Sequence, residues 1–297
     1  MTKLRATIAV LAALVCAAAA FHWVYGVGPA ARTPQAFQPP PVSAASAASD
    51  KVEAATRSKP APPPDAAAAG PFDGTEPGVQ FHTGEVLEFA ADVAKLSNVA
   101  NLRLQILERR NFFGKNAWHL QAFAHTENPL RMMFELDDQF DSYSDSTNLA
   151  SLQYEMRLSE RGEKQESIQR MTSTGAEPAG TNATQTRVVP GTRDPLGLMQ
   201  YLRTVNWMKT REVRGPVYDG HKLYDVRAAY DGAAGNIAVP AGTFAATKID
   251  LRVFDSGAEL KDAHFVLYLA SDSAHTPVLL EAVMPFATAR VALVKMK

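Results

Sequence analysis

A chain of 297 residues with a formal net charge of -1 at pH 7 offers no overall basic footprint for nucleic acid. Its length accommodates one large domain or two ordinary ones, and its 46% apolar content is ordinary for a globular protein, raised by alanine near the N-terminus. The lone cysteine, Cys16, lies in a hydrophobic run, so the rest of the chain has no disulfide, no thiolate nucleophile and no cysteine-based zinc site.

Lys3 and Arg5 precede an uncharged run from Ala6 to Ala31, broken only by the polar His22. A short basic start followed by an apolar core is the pattern of secretory targeting. Two readings stay open. Ala6 to Ala20 forms a signal-peptide core with small residues from Ala17 to Ala20 for cleavage, or the run continues through Phe21, Trp23, Tyr25 and Val27 as a retained anchor of about 20 residues. The anchor is favoured because signal cores are shorter than this run, and Trp23 and Tyr25 would then sit at the far interface. Lipidation at Cys16 is a third option, disfavoured by Val15 where a small residue is wanted. From Pro29 to Pro77 the chain is dominated by Pro, Ala and Ser, including Pro39-Pro40-Pro41 and Pro62-Pro63-Pro64, a composition that makes a disordered, stiffened linker. The expected organisation is a targeting or anchoring segment over 1–28, a linker over 29–77 and a β-rich periplasmic domain over 78–297.

From about Gly78 apolar and polar residues alternate. Leu87, Phe89, Ala91 and Val93 begin the series, followed by Leu102, Leu104 and Ile106, then Trp118, Leu120, Ala122 and Ala124. The same period recurs at Tyr154, Met156 and Leu158, at Ile249, Leu251 and Val253, and at Phe265, Leu267 and Leu269, with further runs at Val278 to Val283 and Val291 to Val294. Period-two alternation marks strands with one buried face. Turn residues fall between the runs, among them Arg161-Gly162, Asp219-Gly220, Asp231-Gly232, Pro240-Ala241-Gly242 and Ser256-Gly257. Closely spaced strands without intervening helices predict an antiparallel meander. One segment differs. Asp194-Pro195 opens a run with Leu196, Met199, Leu202 and Val205 at helical spacing, with Asp as N-cap and Pro at the first helical position. A shorter helical turn is expected after Asn128-Pro129, carrying Leu130 and Met133.

Candidate chemistry is sparse. None of the seven histidines falls in a metal-binding spacing, and His119 and His125 on one strand face stand about 20 Å apart. Asp137, Asp138, Asp141 and Asp145 lack the glycine and closing glutamate of a calcium loop, and the alternation of Asp137, Gln139, Asp141, Tyr143 and Asp145 with Phe140 predicts an exposed strand face. Ser256 reads as part of a hairpin turn, since no nucleophile elbow surrounds it. Neither Glu85 with Glu88 nor Asp250 with Glu259 makes a carboxylate dyad on sequence grounds. Arg187, Arg193, Arg203, Arg211 and Arg214 give the middle of the body a mild basic bias, expected on a solvated surface unless an anionic head group or polysaccharide uses it.

The body resembles a bacterial envelope family known as domain of unknown function 3108. The resemblance covers roughly Gly84 to the C-terminus and rests on Gly84-Glu85-Val86-Leu87-Glu88-Phe89, Arg193-Asp194-Pro195-Leu196 and Tyr218-Asp219-Gly220-His221-Lys222-Leu223-Tyr224. It continues through Val239-Pro240-Ala241-Gly242-Thr243-Phe244, Asp272 with Thr276-Pro277-Val278, and Met284-Pro285-Phe286, departing at Ala287 where similar proteins often have glycine. It implies an exported protein with one strongly curved antiparallel meander sheet, a half-barrel or open barrel, similar to envelope carriers of lipids and lipoproteins.

The sequence therefore points to a non-enzymatic envelope binding or scaffold domain, with a lipid or other apolar ligand in the concave face of its sheet and the helix from Asp194 as lid or plug. The alternative is a structural or interaction protein of an envelope complex with a fully packed core, and an unrecognised envelope enzyme comes third. No residue is assigned to catalysis, to a cofactor or to a metal, and no cofactor is expected. The expected partners are an apolar ligand or an envelope protein, together with the membrane if the N-terminal segment is retained.

Overall fold

A computed structural model describes residues 82–173, 183–283 and 288–297. The segments expected over 1–28 and 29–77, Cys16, and the Met284-Pro285-Phe286-Ala287 block lie outside the described residues. Among the described residues no helix is long and apolar enough to cross a membrane.

The first half of the domain lays down β1 (Val86–Val93), β2 (Leu96–Phe112), β3 (Lys115–Thr126), β4 (Asp137–Asp145), β5 (Ser151–Glu160), β6 (Glu163–Thr172) and the short β7 (Thr184–Arg187). Helix α1 (Pro195–Thr204) follows, and then β8 (Glu212–Tyr218), β9 (Leu223–Val239), β10 (Gly242–Asp255), β11 (Ala258–Ala270), β12 (Pro277–Val283) and β13 (Thr288–Met296). In space the sheet runs β7-β6-β5-β4-β3-β2-β1-β13-β12-β11-β10-β9-β8. Two meanders are thus joined where the first strand pairs with the last, Phe89 opposite Leu293 and Ala91 opposite Val291. Every pairing is antiparallel except β6 with β7, which is parallel. This is the predicted curved meander, mostly β with one main helix, and it remains an open sheet.

The alternation places the faces. In β1, Leu87, Phe89, Ala91 and Val93 are buried and the residues between them are half-buried. On the concave face one cross-strand row runs Met156, Phe140, Ala122, Leu104, Leu87. Another runs Tyr230, Ile249, Leu267, Leu280, Val291, Ala91, Ala100. These side chains belong to one continuous apolar core. The long β9–β10 hairpin does not end with the sheet. Its tip returns to β13, where Ala241 N donates to Leu293 O at 3.0 Å. Leu279 and Ala292 alternate with concave-face residues, yet both are buried.

The sheet's open side is spanned by the segment entering α1. Ser151 N, at the start of β5, donates to Thr192 O at 2.9 Å, while Arg193 N donates to Pro216 O at 3.1 Å and Tyr218 N to Arg193 O at 2.8 Å. One short stretch of backbone therefore ties β5 to the edge strand β8. The helix then runs over the concave face, touching β3, β4 and β8. Its start is as predicted: the Asp194 carboxylate accepts from Leu196 N and Gly197 N, both at 2.9 Å, with Pro195 at the first helical position. Gly197 permits the close approach, because a Cβ there would lie 2.9 Å from Ser144 Oγ and 3.0 Å from Leu149 O.

The spacing of Leu196, Met199, Leu202 and Val205 predicts one buried stripe, but all ten helix residues are buried. A helix buried all round is a core element, not a lid. Leu202 is fully buried. Leu202→Asp sets a carboxylate where no donor awaits it, so the domain is expected to lose at least about 4 kcal/mol and to melt cooperatively only at much lower temperature, if it folds at all. Wild-type thermal unfolding of that variant would sink the packed-helix account.

Candidate functional site

Among the described residues three places are candidates for a site: the junction under α1, a cleft at one mouth of the sheet, and a polar network on the convex side. The first is the junction under α1. Arg193 and Arg203, expected on a solvated surface, are both almost wholly buried, whereas Arg187, Arg211 and Arg214 are exposed. Arg203 forms a two-pronged pair with Glu85, Nη1 to Oε1 at 2.6 Å and Nη2 to Oε2 at 3.0 Å. It also reaches Gln200 Oε1 at 2.8 Å and Ala274 O at 3.0 Å, and its own carbonyl lies 2.6 Å from His275 Nδ1. The Arg193 guanidinium stacks over the Tyr201 ring at 4.0 Å and donates to Gly191 O and Asn148 O. Burial pulls its pKa down to about 10. Arg193 and Arg203 bind their own fold and are not part of a basic surface.

Asp194 is equally absorbed. Besides the helix N–H groups, its carboxylate accepts from Ser142 Oγ at 2.5 Å and from Ser151 Oγ. Burial pushes its pKa up against the pull of these four donors. At the β8–β9 turn, Asp219 accepts from His221 N and Lys222 N at 2.8 and 2.7 Å, and Gly220 adopts a positive φ of 101° against β5. A Cβ at Gly220 would fall on the Met156 thioether. Both quoted blocks, Arg193-Asp194-Pro195-Leu196 and the one beginning Tyr218-Asp219-Gly220, are therefore joints of the fold.

The second place is one mouth of the sheet. A cleft of about 30 Å³ is lined by Ala91, Ala100, Leu102, Ala124, Leu130 and Leu136 among others. Leu130 comes from a short 3-10 turn (Leu130–Met132), the helical turn expected after Pro129. Met132 and Met133 beside it are exposed. The cleft has room for about one water molecule, far below the roughly 300 Å³ at which ligand pockets begin.

Near this mouth the four aspartates divide. Asp138 stands on the concave face opposite Ala124 and is 2% exposed. Its Oδ1 accepts from Ser159 N at 2.9 Å, but its Oδ2 has no partner, and desolvation pushes its pKa up to about 7. Asp137, Asp141 and Asp145 share the other face, as their spacing predicts. That face is not simply exposed, for Asp141 is buried.

Asp141 anchors the third place, on the convex side of β2 to β6. Its Oδ1 lies 2.8 Å from His119 Nε2 and accepts from Gln121 Nε2 at 2.7 Å, while Oδ2 accepts from Gln139 Nε2 at 2.7 Å and Arg157 Nη1 at 2.8 Å. Desolvation opposes ionisation here, but these hydrogen bonds outweigh it and hold the carboxyl below the usual range. Arg157 continues to Glu155 Oε2 at 2.7 Å and Glu166 Oε1 at 3.0 Å. His119 stacks on Tyr143 with centroids 4.5 Å apart, and Phe112 meets Tyr143 edge-on at 4.9 Å. His125 belongs elsewhere, 3.0 Å from Glu127 Oε1. Among the described residues no three His, Cys, Asp or Glu side chains converge as a metal site. Ser256 sits in the β10–β11 turn with positive φ, and its Oγ donates to Asp255. Asp250 and Glu259 are bridged by Arg252, and Glu85 is committed to Arg203.

Two measurements follow from this burial. Removing Glu85 strands a buried guanidinium, so Glu85→Ala is expected to cost about 3–5 kcal/mol in chemical denaturation, and a loss below about 1 kcal/mol would contradict the buried pair. For Asp138, the folded pKa near 7 exceeds the ordinary 3.8. The folded state therefore holds a proton that the unfolded state releases, and stability falls as pH rises from about 4 to about 7 and stays low above it. The total is about 4 kcal/mol. Asp138→Asn removes that loss, raising the melting temperature at pH 8 by roughly 10 °C and leaving it unchanged at pH 4. An equal effect of the substitution at both pH values would refute a buried neutral carboxyl.

Several solved structures show a similar course of chain at low identity. A β-barrel-like protein of domain of unknown function DUF1849 from Brucella abortus aligns with a TM-score of 0.43 and 11% identity, over 71% of this chain and 97% of its own. A candidate lipoprotein from Parabacteroides distasonis aligns with a TM-score of 0.34 and 14% identity, over 76% and 100%. A candidate exported protein with a YmcC-like fold from Bacteroides fragilis gives 0.30 and 9%, over 74% and 98%. No curated protein matches the chain. The sequence blocks now placed at the helix junction, the β8–β9 turn and the β9–β10 tip all fall within one family match, which spans residues 90–294, and the chain belongs to that family, Protein of unknown function (DUF3108).

Proposed function

We propose that this chain is a non-enzymatic interaction domain of the bacterial cell envelope, which meets its partner on its outer surface and fills its interior with its own side chains. The observation that carries this reading is α1, every residue of which is buried over the concave face. The apolar N-terminal run and the Pro/Ala-rich linker support an exported, tethered domain. The fate of the polar groups supports a non-catalytic role: Asp194, Arg203 and Glu85 are saturated by contacts that hold the fold together. Catalysis by a nucleophile calls for a hydroxyl beside a base in an accessible cleft. Ser142 and Ser151, the hydroxyls nearest a carboxylate, lie under the helix and are buried.

A second reading has its own observation. Three alanines, Ala91, Ala100 and Ala124, thin the wall of the mouth cleft, as an apolar chain entering from that end would require. The two readings separate by mass spectrometry of organic extracts from the full-length chain purified from a bacterial envelope. A chain free of stoichiometric lipid supports the packed interaction domain. One equivalent of a lipid, absent from a control protein handled identically, overturns it in favour of a carrier.

A further inference from the structure

We infer that the convex side of β2 to β6 is a docking surface for an uncharged glycan chain. This rests on the reading of the domain as one that works through its outer surface. Three adjacent cross-strand rows build the face: Phe123, Gln139, Arg157, Glu166; Gln105, Gln121, Asp141, Glu155; and Glu108, His119, Tyr143, Gln153, Arg170. With strands about 4.8 Å apart and same-face neighbours about 6.8 Å apart, the patch measures roughly 19 by 14 Å.

Its composition departs from an ordinary solvated strand face. The centre is made of planar side chains, four amides with two carboxylates and two guanidiniums, where water-facing strands usually carry flexible lysines and small hydroxyls. Asp141, Glu155, Gln153 and Arg170 are each 9% exposed or less, so the face is sunken at its middle. The groups hold one another in place: Gln105 donates to Gln121, Gln121 and Gln139 to Asp141, and Gln153 to Glu155 at 2.5 Å. Each amide has two N–H donors and two acceptor positions, and this network uses only part of them. The remainder is a fixed array of donors and acceptors, ordered before any ligand arrives, which lowers the entropic cost of binding.

Hydroxyl groups donate and accept at once, so a polyhydroxylated chain matches such a mixed array better than a ligand of one polarity. The charges agree, since the rows carry four carboxylates, Asp141, Glu155, Glu108 and Glu166, against the guanidiniums of Arg157 and Arg170, an acidic excess that repels an anionic chain. The aromatic rim agrees as well. Tyr143, stacked on His119 and edged by Phe112 and Phe113, offers a ring against which the C–H face of a sugar packs. Arg170 lies over the Phe113 ring, and its Nε is buried without a hydrogen-bond partner.

The test is a glycan array of neutral, carboxylated and sulfated oligosaccharides, probed with the full-length chain in detergent. Retention of neutral glycans is expected, and Gln139→Ala, at the half-exposed margin of the network, is expected to weaken it by about tenfold, as is Tyr143→Ala. Arg214→Ala on the distant β8 serves as the control and leaves binding unchanged. Thermal melts confirm that each variant is folded; should Tyr143→Ala fail to fold, Gln139→Ala decides alone. No retained glycan from a folded chain, retention of sulfated glycans only, or wild-type binding by Gln139→Ala would each overturn the inference. A chain that ignores glycans but carries no lipid loses this docking surface and keeps the interaction reading, which the extraction tests separately.

Discussion

The structure depends on one short stretch of backbone, Thr192 to Asp194. A sheet of thirteen described strands whose ends do not pair exposes two edges and a concave face, and each is a liability in water. Thr192 and Arg193 bond β5 on one side and β8 on the other, while the Asp194 carboxylate starts the helix that covers the interior. Burying that carboxylate is costly in itself, and its four hydrogen-bond donors offset only part of the cost. Two of those donors, Ser142 and Ser151, belong to the sheet, so the cap of the helix is also the bolt that fastens helix to sheet.

The same balance recurs at different settings. Glu85 and Arg203 face each other with every prong engaged, an arrangement that tolerates burial only because geometry and hydrogen bonds are both complete. Asp138 is the opposite case: one oxygen is served, the other is not, and the group stays protonated up to about pH 7. Three positions further on, Asp141 gathers donors from β3, β4 and β5 and remains ionised. The two aspartates differ by strand parity. Asp138 points into the apolar concave side and Asp141 into a polar array, and that difference moves their proton affinities in opposite directions.

The interior is occupied by α1 and by the cross-strand rows of Leu, Phe, Met and Ile, and the proposed recognition therefore falls to the outside of the sheet. One part of it is itself covered, where the β9–β10 tip reaches β13 and Leu279 and Ala292 are buried. The other, over β2 to β6, carries a network of planar polar side chains, of which Asp141, Gln153, Glu155 and Arg170 are buried. Among the described residues the domain thus carries an apolar cover on one flank of its convex side and a polar array on the other.

Local chemistry was legible in the chain itself. Leu87, Phe89, Ala91 and Val93 announced a half-buried strand because side chains alternate with period two, Ser256-Gly257 and Asp219-Gly220 announced turns, and Asp194-Pro195 announced a helix start, since capping involves only neighbours in sequence. The same periodicity put Asp137, Asp141 and Asp145 on one face. It could not tell how buried that face is, because burial is decided by the strands and hairpin tips laid beside it. Nor could it find the pair of Glu85 and Arg203, which stand 118 residues apart, or the joining of β1 to β13. Arg193 and Arg203 read as surface residues because a charged side chain is soluble wherever its partner is unknown. Strand parity, turns and caps were determined by sequence alone, since each is set within a few residues. Which charges meet, which face is filled and which polar groups keep capacity for a partner were decided only by the tertiary structure, because those depend on chain segments brought together from far apart.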